Sequence, residues 1–258
     1  MNRSTAVIRQ GHQLLDQRVA PDTCRSDGIV GSANYDPFLP LMEHQVKSIL
    51  IPALSIFLAN AFMPAQAQTP APVAGKDYVE ISNGRPLDSA DGMVVVEEFF
   101  NYICPACNSF EPLFVAWTAQ LPSYVKVVHV PAAFRTDFVQ YAKAYYAAQI
   151  FDLVDETHNA VYEAIHRAHV LPAEGDRPDE ERIAEFYADF GVDAQEFLGA
   201  MQSFGVDFKI RRATEHMQRS RIPSTPSVVI NGRYLVQGRT YVDMLRIASY
   251  LIEKEYSE

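Results

Sequence analysis

Cysteine is scarce in this chain: three residues in 258, Cys24, Cys104 and Cys107, and only the last two lie close together. That is too few for a small secreted scaffold held by a framework of disulfides. Basic residues are the minority, 22 Lys and Arg against 32 Asp and Glu, for a net charge of −10 with no basic block along the chain. Phosphates would find little to neutralise them, so nucleic acid is not an expected partner. Also missing is an apolar run of about 20 residues, the length needed to cross roughly 30 Å of hydrocarbon. Compositional bias is absent too: 48% hydrophobic and 21% charged residues exclude a disordered, collagen-like or low-complexity protein. The length suits one compact domain of about 150–200 residues with an insertion.

The one conspicuous apolar segment, 48–62, follows a short polar stretch carrying Lys47 and is interrupted by Pro52 and Asn60. It has the length of a signal-peptide core, and Ala65-Gln66-Ala67 beyond it is a small-x-small pattern that signal peptidase accepts. Cleavage is expected after Ala67. A signal peptide starts near the chain start, so translation is expected to begin at Met42. Residues 1–41 are then a non-native extension, 42–67 the signal peptide and 68–75 a flexible mature N-terminus. The competing reading is a cytosolic protein with an N-terminal extension and a buried helix at 48–62. Cleavage removes five basic and five acidic residues, leaves the charge at −10 and discards Cys24.

In the remainder, 93–100 is β-branched and aromatic, follows the turn signal Asp91-Gly92, and predicts a buried central strand. After the loop 101–103, Phe110, Leu113, Phe114 and Trp117 recur at three- and four-residue spacing, so a helix starts at or beside Cys104. Pro105 suits its first turn, and Pro112 is expected to kink it. A second strand is expected at 125–130, closed by Pro131. Helical patterns follow at 138–151, 157–169, 179–190 and 193–204. Strand character returns at 227–230, Asn231-Gly232 signals a type I′ hairpin into 233–236, and an amphipathic helix spans 241–254. This order predicts an α/β, thioredoxin-like fold, built from 76–133 and 220–258, with an inserted helical domain at 134–219.

The chemistry centres on Cys104 and Cys107. A thiolate attacks disulfides, and a cysteine at a helix N-terminus faces the positive end of the macrodipole and unpaired backbone N–H groups. Cys104 holds that position. Cys107, nearly one turn on, is close enough to close a disulfide but more shielded, so Cys104 is expected to form the mixed disulfide and Cys107 to resolve it. A zinc site needs two further ligands at defined spacing, and the only close histidine pair is His166 and His169. No metal site is expected. A permanent disulfide here would close too small a loop to restrain the unfolded chain. Glu98 lies six residues before Cys104 in an apolar strand and could couple to thiol protonation; alternation along the strand would instead point Glu97 or Glu98 to water. Thr225-Pro226, if cis, would leave the backbone before the proline open to an extended substrate.

The segment Val96-Glu97-Glu98-Phe99-Phe100-Asn101-Tyr102-Ile103-Cys104-Pro105-Ala106-Cys107-Asn108-Ser109-Phe110-Glu111 resembles the active-site segment of the DsbA-type periplasmic thiol:disulfide oxidoreductases. The resemblance extends through the helical insertion, His129, Thr225-Pro226 and the Val-Val-Ile-Asn-Gly hairpin. It implies that Cys104 is the nucleophile, Cys107 the resolving thiol, Glu98 a buried acid that modulates them, and Pro226 a cis-proline facing the disulfide beside Thr225. It further implies a periplasmic monomer without cofactor that acts on reduced or unfolded secreted polypeptides and is reoxidised by a DsbB-type quinone-linked membrane partner. Three positions depart from the pattern. The dipeptide between the cysteines is Pro105-Ala106 rather than Pro-His, which implies weaker oxidising power. Thr225 replaces an apolar residue and is more familiar in isomerases of the same superfold. Val127 stands where a lysine can accompany the glutamate. An isomerase or reductase, or a redox-inert thioredoxin-like chaperone, remain the competing functions.

Overall fold

The computed structural model describes residues 70–257. The extension at 1–41 and the signal peptide at 42–67 therefore lie outside the described residues. Within the segment expected to be flexible, Val73 and Ala74 instead enter a hydrogen-bonded turn: the Val73 N–H donates to Asp77 Oδ2 at 2.9 Å, and the Asp77 N–H donates to the Val73 carbonyl at 2.8 Å.

A five-stranded sheet organises the molecule, with strands β1 (Tyr78–Glu80), β2 (Val94–Phe100), β3 (Val125–Pro131), β4 (Ser227–Ile230) and β5 (Tyr234–Val236) in the spatial order β1-β5-β4-β2-β3. Only β2 and β3 pair in parallel, joined through helix α1 (Pro105–Thr118); the other pairings are antiparallel. Between β3 and β4 come α2 (Thr136–Ile150), α3 (Val154–His166), α4 (Glu180–Ala188), α5 (Ala194–Met201) and α6 (Phe204–Arg219), and α7 (Tyr241–Ser257) closes the chain. The order expected from the sequence is present, and the fold is thioredoxin-like with an inserted helical block. Among the described residues, no helix is long and apolar enough to cross a membrane.

Period-2 alternation along the strands feeds two cores. Val94, Val96, Val228, Ile230, Tyr234 and Val236 pack with α1 and α7, whereas Phe99, Val229 and Leu235 pack with the inserted helices. Both faces of β2 are thus covered, and all seven of its residues are buried. This corrects the expectation that Glu97 or Glu98 points to water. Alternation does send them to opposite faces, but neither face is solvated.

Two elements escaped the sequence. β1 has three residues, too few to show a period. α6 was hidden because Phe204 reads as the last apolar residue of the preceding helix. Phe204 is in fact exposed and opens α6, with Ser203 Oγ accepting the Val206 N–H as its N-cap. The helix α1 runs through Pro112 to Thr118. The Asn231-Gly232 turn has φ of 52° and 66° and the Arg233 N–H donates to the Ile230 carbonyl at 2.9 Å, as a type I′ hairpin requires. A Cβ on Gly232 would stand 2.1 Å from the Arg85 carbonyl carbon, so the loop after β1 is seated directly on this turn.

Candidate active site

The loop between β2 and α1 is fixed by Asn101. Its side-chain amide donates to the Ala132 carbonyl at 2.7 Å and to the Phe138 carbonyl at 3.1 Å, while its Oδ1 accepts the Ile103 N–H at 3.2 Å. Cys104 follows as the N-cap of α1 with extended φ and ψ of −75° and 115°, and Pro105 occupies the first turn. No side chain caps this helix, so its first N–H groups remain free to face the Cys104 sulfur. Cys104 is 9% exposed and Cys107 0%, which is the asymmetry read from the sequence. Both are free thiols.

The Thr225-Pro226 peptide is cis and immediately precedes β4. It brings the Thr225 carbonyl to 3.6 Å from Cys104 Sγ, across 121 residues of sequence. Ala106 is held from the far side by the Tyr241 hydroxyl, which donates to its carbonyl at 3.1 Å. Thus Cys104, Cys107, Pro105, Ala106, Thr225 and Pro226 come together, as the sequence suggested, and Asn101 and Tyr241 join them.

Cys104 is held well below an ordinary thiol, at about 6. The hydrogen bond from the Cys107 thiol is the largest cause; burial opposes it, and the Thr225 side chain and the backbone N–H groups of Cys107 and Ala106 add to the lowering. The Cys107 thiol moves the other way, pushed far up by burial and by its Cys104 neighbour. One sulfur is therefore a thiolate at neutral pH and the other a protonated thiol that donates to it. A thiolate poised in this way attacks disulfides and leaves mixed disulfides readily. Ala106 supplies no side-chain donor, but its backbone N–H does contribute.

Glu98 is buried in β2, six residues before Cys104, and its partner comes from the neighbouring strand: in the parallel register Glu98 stands opposite His129, and Oε2 lies 2.8 Å from His129 Nδ1. Val127, the position matched to the family's lysine, pairs with Val96 instead. Burial opposes charge on His129, yet the hydrogen bond and charge of Glu98, with Glu111 and Asp155, raise its pKa overall. Glu97, on the opposite face, accepts the Leu87 N–H at 2.7 Å and meets His216 Nε2 at 2.8 Å. It braces the loop after β1 rather than the cysteines. His166 donates from Nε2 to the Tyr102 carbonyl at 2.7 Å, so it is engaged in holding the active-site loop. His158, which carried no signal in the sequence, meets the Tyr102 hydroxyl at 2.8 Å through Nδ1.

A family model described as thioredoxin matches residues 88–248, from the loop before β2 into α7. The thiol:disulfide interchange protein DsbA of Pseudomonas aeruginosa is 33% identical over 213 residues, which span 81% of this chain and 97% of that protein. The protein of the same name from Burkholderia cepacia is 32% identical over 187 residues, spanning 72% and 85%. The crystal structure of oxidoreductase DsbA from Xylella fastidiosa aligns with a TM-score of 0.70 at 35% identity, covering 73% of this chain and 100% of the other.

Proposed function

The chain belongs to the DsbA family of thiol:disulfide oxidoreductases, and on that footing we propose that Cys104 is its nucleophile and Cys107 the thiol that closes and opens the enzyme's disulfide. It is a protein dithiol:disulfide oxidoreductase that introduces disulfides. A substrate thiolate attacks Cys104 of the oxidised pair, the Cys104–Cys107 bond breaks, and Cys107 leaves with the electron pair. A second substrate thiolate then attacks the mixed disulfide and releases Cys104. Release is favourable because the Cys104 thiolate is stabilised, and a stabilised reduced form makes a stronger oxidant. The observation that carries this reading is the placement of Cys104 at the start of α1, a hydrogen-bonded thiolate at neutral pH beside a buried thiol.

Thr225 and Pro226 are assigned to substrate contact, because this segment lies against Cys104 where an incoming polypeptide must approach. Glu98 is assigned to tuning the pair. The substrates are reduced or unfolded secreted polypeptides, and no cofactor takes part in the exchange. Reoxidation falls to a DsbB-type quinone-linked membrane partner, and the working protein is a periplasmic monomer that begins at Gln68.

Refolding of a reduced, disulfide-containing substrate by the purified protein tests the assignment. Oxidation should be lost in Cys104→Ser, and a variant as active as the parent would refute it. Repair of scrambled disulfides without net oxidation would mark an isomerase, and neither activity would mark a chaperone. N-terminal sequencing of exported protein should start at Gln68; a start within 1–41 would overturn the export reading.

A further inference from the structure

Folding gathers arginines that lie far apart in the chain. Arg85, in the loop after β1, and Arg211, Arg212 and Arg219, on α6, line one groove of about 820 Å³ between that loop and the helix. A second cavity of about 310 Å³ adjoins it, sharing Ile81, Ser82, Arg219 and Ser220 and adding Arg221. Against these guanidiniums the two linings hold only the carboxylates of Glu80 and Glu215. In a chain of net charge −10 the groove is a local inversion of sign.

Few of these charges are satisfied within the protein. Arg212 donates to the Leu87 carbonyl at 3.1 Å and lies 3.4 Å from Asp88. Arg219 stands 3.8 Å from Glu215, an exposed pair too loose for a hydrogen bond. Arg211 lies over the Phe204 ring at 5.5 Å, and among the described residues neither it nor Arg85 nor Arg221 meets a carboxylate. The walls, by contrast, are fixed. Glu97 accepts the Leu87 N–H of the loop and bonds His216 of α6, and a Cβ on Gly84 would stand 1.9 Å from the Gly232 carbonyl oxygen, so the loop is seated on the hairpin. His216 and Ser220, each 3% exposed, form the floor, and the Ser220 hydroxyl has no partner among the described residues. A preformed groove with idle guanidinium forks suits carboxylates, which arginine binds through two parallel hydrogen bonds.

The second cavity also reaches Pro223, two residues before Thr225, whose carbonyl is 3.6 Å from Cys104 Sγ. Its opposite wall includes β1, an edge strand with β5 on one side only, and a sheet edge accepts an extended segment through backbone hydrogen bonds. We propose that this groove binds the acidic stretch of an extended substrate polypeptide whose cysteine is reacting at Cys104. The assignment rests on the reading of Cys104 as the nucleophile. Arg221 precedes Thr225 by four residues, so their Cα atoms are at most about 15 Å apart at 3.8 Å per residue. From Arg219 back to Arg211 the helix adds about 12 Å at a rise of 1.5 Å per residue. At about 3.3 Å per residue of extended chain, the arginines are met by residues roughly five to ten positions from the reacting cysteine. The favoured substrates are polypeptides with Asp or Glu in that window.

The test is the second-order rate at which dithiol peptides reduce the oxidised protein, read by acid quench and alkylation of the thiols. Matched peptides carry a cluster of Asp or of Asn in the window that the arginines reach. Net charge alone makes the Asp peptide the slower of the two, because the whole protein repels it. The groove reverses that order. The Asp peptide should be faster by about fivefold at low salt, the worth of a few exposed ion pairs, and the advantage should shrink as salt shortens the screening length. Arg85→Gln combined with Arg211→Gln, both at exposed positions, should bring the Asp-to-Asn ratio to one or below. An Asp cluster moved more than about fifteen residues from the cysteine should lose its advantage, since it lies beyond the groove at about 3.3 Å per residue. An Asp peptide no faster than its Asn counterpart overturns the proposal, as does an advantage that the double variant keeps or that ignores the position of the cluster. Binding of phosphatidylglycerol vesicles by the parent, without a preference for the Asp peptide, would assign the groove to lipid headgroups and overturn it too. A parent that exchanges equally with both peptides loses the groove alone; a parent that exchanges with neither loses the reading of Cys104 as well.

Discussion

Ala106→His is the sharpest perturbation of the thiolate, because Ala106 lies between the cysteines and is only half-buried. Cys104 already stands at about 6 through the Cys107 thiol, Thr225 and two backbone N–H groups. An imidazole added beside it brings a positive charge when protonated and a hydrogen-bond donor when neutral. A charge-assisted hydrogen bond contributes about 1.5–3 kcal/mol, and partial exposure argues for the lower end. At about 1.4 kcal/mol per pKa unit, the Cys104 midpoint should fall by roughly one unit. The same free energy favours the reduced form and should raise the reduction potential by about 30 mV, since 30 mV corresponds to 1.4 kcal/mol in a two-electron couple. Absorbance titration of the thiolate and equilibration with glutathione measure the two quantities independently. Movement of the midpoint without the potential would break the linkage between them. If neither moved, the helix start and its N–H groups would already set the energy of the thiolate, and the dipeptide would not control it.

Thr225→Val removes a hydrogen bond that lowers Cys104, and at about 0.5–1.5 kcal/mol the midpoint should rise by roughly half a unit to one unit in the same titration. The stability of the reduced protein should depend on pH through Cys104: its folded pKa of about 6 lies below the unfolded value, so its contribution is complete above the unfolded pKa and lost as pH falls through about 6. Denaturant unfolding of the reduced parent and of Cys104→Ser should therefore converge toward low pH and diverge between about pH 6 and 9; parallel curves would contradict it. Asn101→Ala removes three hydrogen bonds and takes their side-chain partner from the Ala132 carbonyl and the Ile103 N–H in the interior, while the Phe138 carbonyl keeps its place in the ladder of α2; the expected loss is about 2–4 kcal/mol in urea unfolding. A change below about 0.5 kcal/mol, as at an ordinary surface site, would mean that Asn101 does not anchor the loop.

The sequence alone determined what depends on neighbours along the chain. Cys104 and Cys107 at the start of a helix, the strand before them, the Asn231-Gly232 turn and the alternation of strands and helices are all written within windows of a few residues. Helix starts, tight turns and period-2 patterns are local physics. Short or overlapping signals fared worse, as with β1 and with α6, whose first residue is an exposed phenylalanine. What the tertiary structure decided is how charge and protons are handled in the interior. Strand alternation correctly separated Glu97 from Glu98, but only the packing of helices on both sides of the sheet made both of them buried. Their partners arrive from far away, His129 after 31 residues and His216 after 119, and Thr225 reaches Cys104 across 121. His158 and Glu111 meet only because α3 folds against α1. Burial and long-range pairing set the energy of a buried ionisable group, and neither has a period that a sequence can display.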